Sequence, residues 1–272
     1  MEVMIQRWHL LRVDYAFAVI VPCLLALYVN HLSLLAAVDI LLGFFFFTIT
    51  GNTLNDLIDS RNPTDEDTQH RLEGFRWKEI ATICIMSFLL GFGMFLRMIT
   101  QHWITGVLLG GIIILVVLYC LFKRIPIVNQ ILLAISHILL PYLMIKIDAD
   151  QASPLFTIGE LLLVATIMLF AIAGQTVHEV IDGDAITRWS SRFIQRYILV
   201  CAVGALVSGL VSFWYLHEWF FFPFFFLPCG IIYIFRHPTH PSKKIKDIGI
   251  ILGNLVMIYF LGLQLIQEFS PV

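Results

Sequence analysis

Apolar residues run along this chain in nine long stretches, roughly 13–30, 32–58, 79–99, 102–122, 127–147, 154–181, 191–216, 218–235 and 246–267. Each is about long enough to cross the hydrocarbon core of a bilayer as a helix. None alternates apolar and polar residues with the period-two pattern of a transmembrane β-strand. Lipid offers the backbone no hydrogen-bond partners, so a helix is the remaining way for such segments to satisfy their own amides. The pattern predicts an all-α polytopic membrane protein, a bundle of about nine transmembrane helices in a single domain over residues 1–272. The stretch ending near Leu216 could run on into the next one. The first stretch follows Arg7 and Arg12, contains Pro22 and shows no small-residue cleavage site near Asn30. It therefore reads as a span and not as a cleaved signal.

Polar residues break this pattern in two matching places. GNTLNDLIDS (Gly51 to Ser60) closes the second stretch, and GQTVHEVIDG (Gly174 to Gly183) closes the sixth. Asn52 answers to Gln175, Thr53 to Thr176, Asn55 to His178, Asp56 to Glu179 and Asp59 to Asp182. The echo predicts two pseudo-repeats spaced four helices apart, with both copies at one membrane face. In each copy the polar residues fall at i, i+3, i+4 and i+7, a single stripe on a helix. Carboxylates and amides are costly in an apolar span, so the stripes should face a cavity or each other.

Composition agrees and adds orientation. Of 272 residues, 59% are hydrophobic and 13% charged, with mean hydropathy +0.88, whereas soluble domains carry about 25% charge. Only Arg97 and Lys146 fall on one side of the predicted spans, and the other 15 of the 17 Lys and Arg fall on the opposite side. The positive-inside rule then puts the N-terminus and the motif loops (59–78, 123–126 and 182–190) in the cytoplasm and the C-terminus outside. All five cysteines (Cys23, Cys84, Cys120, Cys201, Cys229) lie within apolar stretches without CxxC spacing, as small core hydrophobes do.

Carboxylate oxygens are hard donors suited to Mg²⁺, which binds through one or two carboxylates together with substrate phosphates. Asn55, Asp56, Asp59, Glu179 and Asp182 are the candidate metal donors. Phosphate needs cations as well, and Arg61, His70, Arg71, Arg76, Lys78, Arg124, Arg188, Arg192 and Arg196 lie in the adjoining loops. Lys123 is set apart, because Tyr119 lies four residues before it on the same helical face. Asn52, Asn55, Arg71, Tyr119, Lys123 and Gln175 are candidate diphosphate contacts, and Asp59, Asp182 and His178 are candidate catalytic groups. Toward the other end of the spans, Asp39 and Glu160 stand in roughly equivalent places, expected to pair with each other or with His137, or to reach the interface. A polar head site over an apolar bundle suits a lipid diphosphate.

These features resemble the UbiA superfamily of intramembrane prenyltransferases, nine-helix bundles with NDxxDxxxD after the second helix, YxxxK after the fourth and DxxxD after the sixth. Asn55, Asp56 and Asp59 match the opening of the first motif, Tyr119 and Lys123 the whole of the second, and Asp182 the start of the third. Pro63 and Ile186 stand where the resemblance expects further aspartates, with Asp65, Asp67 and Asp184 nearby. The resemblance implies ionisation of an allylic polyprenyl diphosphate with Mg²⁺ and transfer of the prenyl group to an aromatic or lipid acceptor. A UbiA-type terpene cyclase acting without a second substrate, or a non-catalytic prenyl-diphosphate-binding relative, are the alternatives. The expected partners are the diphosphate, membrane lipid and an acceptor, with no nucleic acid.

Overall fold

A computed structural model describes residues 10–61, 66–122, 125–149, 155–183, 185–237 and 242–269. Each apolar stretch is a helix: α1 (Val13–Val29), α2 (Leu35–Asp59), α4 (Trp77–Gln101), α5 (Trp103–Phe122), α6 (Val128–Asp148), α7 (Ile158–Asp182), α8 (Ser191–Leu216), α9 (Trp219–Phe235) and α10 (Lys243–Phe269). A short helix, α3 (Glu66–Leu72), lies in the connection after α2. Among these, α2, α4 to α8 and α10 are long and apolar enough to cross a membrane, while α1 and α9 are shorter apolar helices. The chain is an integral membrane protein, helical throughout, with no strand among the described residues.

Local chemistry sets the helix ends. α7 starts at a capping box in which Thr157 and Glu160 each accept the other's backbone N–H, satisfying two donors that the helix leaves unpaired. It stops at Gly183, whose φ of 75° is the left-handed conformation that closes a helix. α8 stops at Leu216 because His217 takes φ 55°, so the run that could have continued into α9 is broken there. α6 departs from a regular helix: Ile135–Leu139 form a π-helical turn carrying Ser136 and His137.

α1 is the centre of the bundle. From Cys23 to Leu27 it has essentially no exposed surface, as expected of a helix that is apolar on all sides. Two helix pairs are packed most extensively, α2 with α4 and α7 with α8. Small residues allow the close approach that holds helices together in lipid. A Cβ at Gly43 would lie 2.7 Å from the Phe95 ring, and one at Gly159 would lie 2.7 Å from Leu216. α2 and α7 carry the two motif copies, so each copy sits on a helix locked to the next span by the same device.

Polar side chains gather at both ends of the bundle. On α2, Asp39 and Asp56 are 17 residues apart, about 25 Å along a helix, close to the thickness of the hydrocarbon core. At the end away from the motifs, Asp39 and Glu160 neither pair with each other nor meet His137. Asp39 is bound by Arg97 (3.1 Å), which also reaches Asp148 (3.1 Å). Glu160 is buried and accepts from Lys146 (2.6 Å), Tyr142 (3.0 Å) and Asn30 (3.0 Å). The reason is cost: a carboxylate deep in the bundle needs a cation or several donors, and the lone basic residues on this side, Arg97 and Lys146, supply them. Removing one partner of such a buried pair typically costs about 3–5 kcal/mol.

Candidate active site

The first copy closes α2. Thr53 turns inward and bonds back to the Ile49 carbonyl at 2.7 Å, leaving Asn52, Asn55, Asp56 and Asp59 on the helix's polar side. Asn55 Nδ2 donates to Asp59 Oδ2 across one helical turn (2.8 Å). Asp56 is fully buried and accepts from Arg71 Nη2 at 3.0 Å. Arg71 is carried by α3, which is held against α2 by an apolar cluster of Leu10, Leu57, Leu72 and Ile80. Among the described residues, three buried atoms at this copy have no partner: Asn55 Oδ1, Asp56 Oδ2 and Arg71 Nε. An unsatisfied buried polar atom costs about 1–3 kcal/mol, so these two acceptors and one donor are open to a water, an ion or a ligand.

The second copy closes α7 and repeats the internal geometry. Thr176 bonds back to Ile172 at 2.7 Å. His178 Nδ1 donates to Asp182 Oδ2 across one turn at 2.9 Å, where Asn55 meets Asp59 in the first copy. The surroundings differ. Glu179 is buried and clamped from α6, by Asn129 Nδ2 at 2.6 Å and Gln130 Nε2 at 3.0 Å. Gln130 is itself held by the Tyr197 hydroxyl (3.0 Å). Gln175 lies at the limit of hydrogen-bond reach of Glu179, 3.5 Å away. On the other flank, Lys246 of α10 donates to both oxygens of Asp182, at 2.9 and 3.0 Å. The stripe read from spacing is thus split: His178 and Asp182 face α1 and α10, whereas Glu179 faces α6. The two sides of the stripe lie about 100° apart on a helix, and different helices pack against them.

The start of α1 brings the copies together. Asn52 Nδ2 donates to the Arg12 carbonyl (3.2 Å), and the Tyr15 hydroxyl lies 3.3 Å from His178 Nε2. With Nδ1 donating to Asp182, Nε2 is the acceptor in that contact. The Arg12 guanidinium stacks over the Tyr15 ring, 4.5 Å from its centroid, and lies within electrostatic reach of Asp56 and Tyr119. Arg12 has φ 46°, a strained value for a residue with a side chain. Beneath the first copy opens a cavity of about 300 Å³. Phe44, Phe47, Gly51, Phe88 and Val116 line it, and Thr48, Thr50 and, from the π turn, Ser136 and His137 add polar groups to its wall. Its rim residues Ile85 and Val117 are exposed on the outer surface of the bundle.

A family model described as the UbiA prenyltransferase family matches residues 16–247. The chain belongs to the UbiA prenyltransferase family. No curated protein and no solved structure matches it. In this UbiA family member Tyr119 is near Arg12, while Lys123, Arg124, Pro63, Asp65 and Asp184 lie outside the described residues, as does the side chain of Asp67. Ile186 is buried in an apolar cluster with Val177, Ile194, Ile198 and Phe235, so that position offers packing and no charge.

The residue types fit a divalent cation at the first copy. Asn55 Oδ1 and Asp56 Oδ2 are buried unpaired oxygens, the hard donors that Mg²⁺ takes. Among the described residues no three Asp, Glu, His or Cys side chains converge on one ion; Mg²⁺ ordinarily completes such a shell with phosphate and water oxygens. Sequence reasoning passed over Tyr15, Asn129, Gln130, Tyr197 and Lys246. Each is polar near the end of an apolar stretch, a weak signal that interfacial residues share.

Proposed function

We propose that this protein is a Mg²⁺-dependent intramembrane prenyltransferase that ionises an allylic polyprenyl diphosphate and passes the prenyl group to an aromatic or lipid acceptor. One observation carries the reading. Among the described residues, unpaired buried oxygens of Asn55 and Asp56 and an unpaired N–H of Arg71 stand together next to Gly51 and Leu54, which line an apolar cavity. Asn55, Asp56 and Asp59 would hold the ion, which supplies charge neutralisation to the diphosphate when bound. Arg71 Nε and the Arg12 guanidinium stabilise the departing diphosphate, and such preorganised electrostatics is usually the largest catalytic contribution. The cavity takes the apolar chain and excludes water from the allylic cation, and the faces of Phe44, Phe47 and Phe88 shield it. His178, oriented by Asp182 and Tyr15, receives a proton at Nε2 or, once protonated there, hydrogen-bonds the diphosphate. The motif face is cytoplasmic in this reading, so cysteines placed at Glu66 and Ser190 should resist labelling from outside intact cells.

The test is to incubate purified protein in lipid nanodiscs with C10 to C20 prenyl diphosphates, Mg²⁺ and a panel of aromatic and lipid-alcohol acceptors, reading products by mass spectrometry. Acceptor-dependent product supports the proposal. A hydrocarbon or terpene alcohol released without acceptor would reassign the protein as a cyclase. Absence of pyrophosphate release from every diphosphate would remove the enzymatic reading.

A further inference from the structure

The same residue pattern closes α2 and α7, yet the two copies stand differently toward a cation. In the first, unpaired oxygens remain on Asn55 and Asp56. In the second, no carboxylate among the described residues is left open. Glu179 is saturated by Asn129 and Gln130. Asp182 carries Lys246 on both oxygens and His178 on one of them. The next position on that side, Ile186, is buried in an apolar cluster.

We infer that the Lys246 ammonium stands in for a metal ion at the second copy, so that this chain gathers its diphosphate with one divalent cation and one lysine. This deepens the reading above and rests on it. An ammonium has three N–H donors and no acceptor. Two are spent on Asp182, and the third is left to meet a phosphate oxygen. Asp182 thereby becomes the residue that aims the lysine, and His178, bonded to the same carboxylate, braces it.

Packing fixes the lysine's position. Lys246 lies in the first turn of α10, which is seated on α1 two turns further along. There a Cβ at Gly253 would collide with the ring of Phe17. Asn254 Nδ2 donates to the Asp14 carbonyl at 2.7 Å. The side chain is mostly shielded, at 18% exposed, which sets it apart from a freely solvated lysine whose ion pairs contribute little.

The test uses Mn²⁺ and inorganic pyrophosphate with full-length protein in nanodiscs, counting bound ions by electron paramagnetic resonance and measuring pyrophosphate affinity. Wild type should bind one Mn²⁺ per chain in the presence of pyrophosphate. Lys246→Met should weaken pyrophosphate binding more than about tenfold, the loss expected when one charge-assisted contact is removed. Lys246→Arg should hold it within about threefold, because guanidinium also bridges a carboxylate and a phosphate. Two ions per wild-type chain would overturn the inference and leave the prenyltransferase reading standing. Unchanged pyrophosphate affinity in Lys246→Met, at an unchanged melting temperature, would overturn it as well. Failure of wild type to bind either Mn²⁺ or pyrophosphate would remove both.

Discussion

Asp56 and Glu179 occupy the same place in their respective helices, and each is buried, yet they have opposite neighbours. Asp56 faces an arginine from a loop helix and keeps one oxygen unpaired. Glu179 faces two amides from a neighbouring span. The features that belong to a single helix are shared between the copies: the threonine bonded back one turn, and the i, i+4 pair whose second member is an aspartate. The features that differ come from other helices. Duplicated sequence thus reproduces internal geometry, while chemistry is decided by what each copy is packed against.

The comparison can be broken most sharply at the first copy. Asp59→Ala, Asp56→Asn or chelation of divalent ions should each lower turnover more than about hundredfold, the scale of losing one electrostatic stabiliser. Survival of turnover within tenfold in any of the three would refute the assignment of this copy to metal and diphosphate. A smaller and more diagnostic contrast lies between Asn55 and His178. Asn55→Ala should raise the Mg²⁺ concentration for half-maximal rate about tenfold, as loss of a supporting ligand does. His178→Ala should lower the rate about tenfold, the worth of one hydrogen bond, with no change in Mg²⁺ requirement. Mg²⁺ titrations of the two variants decide between them, and equal shifts in both would mean that the copies share one role.

Glu179→Gln turns a buried oxygen into an N–H that faces the donors of Asn129 and Gln130. It should cost about 2 kcal/mol of stability, visible as a lower melting temperature in detergent, while the rate per folded molecule changes less than about threefold. A hundredfold loss of rate at unchanged melting temperature would instead return Glu179 to the metal donors. The smallest effect is expected at Gln175, which sits at the 3.5 Å limit of its contact with Glu179. Gln175→Ala should change rate less than about twofold, since a hydrogen bond that long contributes little.

Much of this was legible because it is local. Nine apolar stretches, the glycine that ends α7, and the polar stripes all follow from periodicity and residue type, so spacing alone finds them. Fold class and membrane character needed nothing more. Partners across helices were a different matter. Nothing in the spacing tells whether Glu179 meets a metal or Asn129 and Gln130, because both answers put a carboxylate on the inner face. Lys246 looked like one more basic residue at a helix end, and Tyr15 like an interfacial tyrosine. Their roles arise from the docking of α10 on α1 and of α1 between the copies. Asp39 and Glu160 were recognised as equivalent, but the choice of Arg97 and Lys146 as partners depended on which spans adjoin.

The π-helical turn in α6 bears on helical phase. Gln130 reaches Glu179 at one end of α7, while Tyr142 and Lys146 reach Glu160 at the other. On a regular helix, at about 100° per residue, Gln130 and Lys146 would point about 160° apart. A π turn absorbs one extra residue and resets the phase by about 100°, which brings the two side chains within about 60° of each other. One helix can then grip both ends of its neighbour with the same face. Deleting a single residue between Ile135 and Leu139 would remove the bulge and leave a regular helix with the two side chains still about 60° apart, so α6 should keep its hold on both ends of α7.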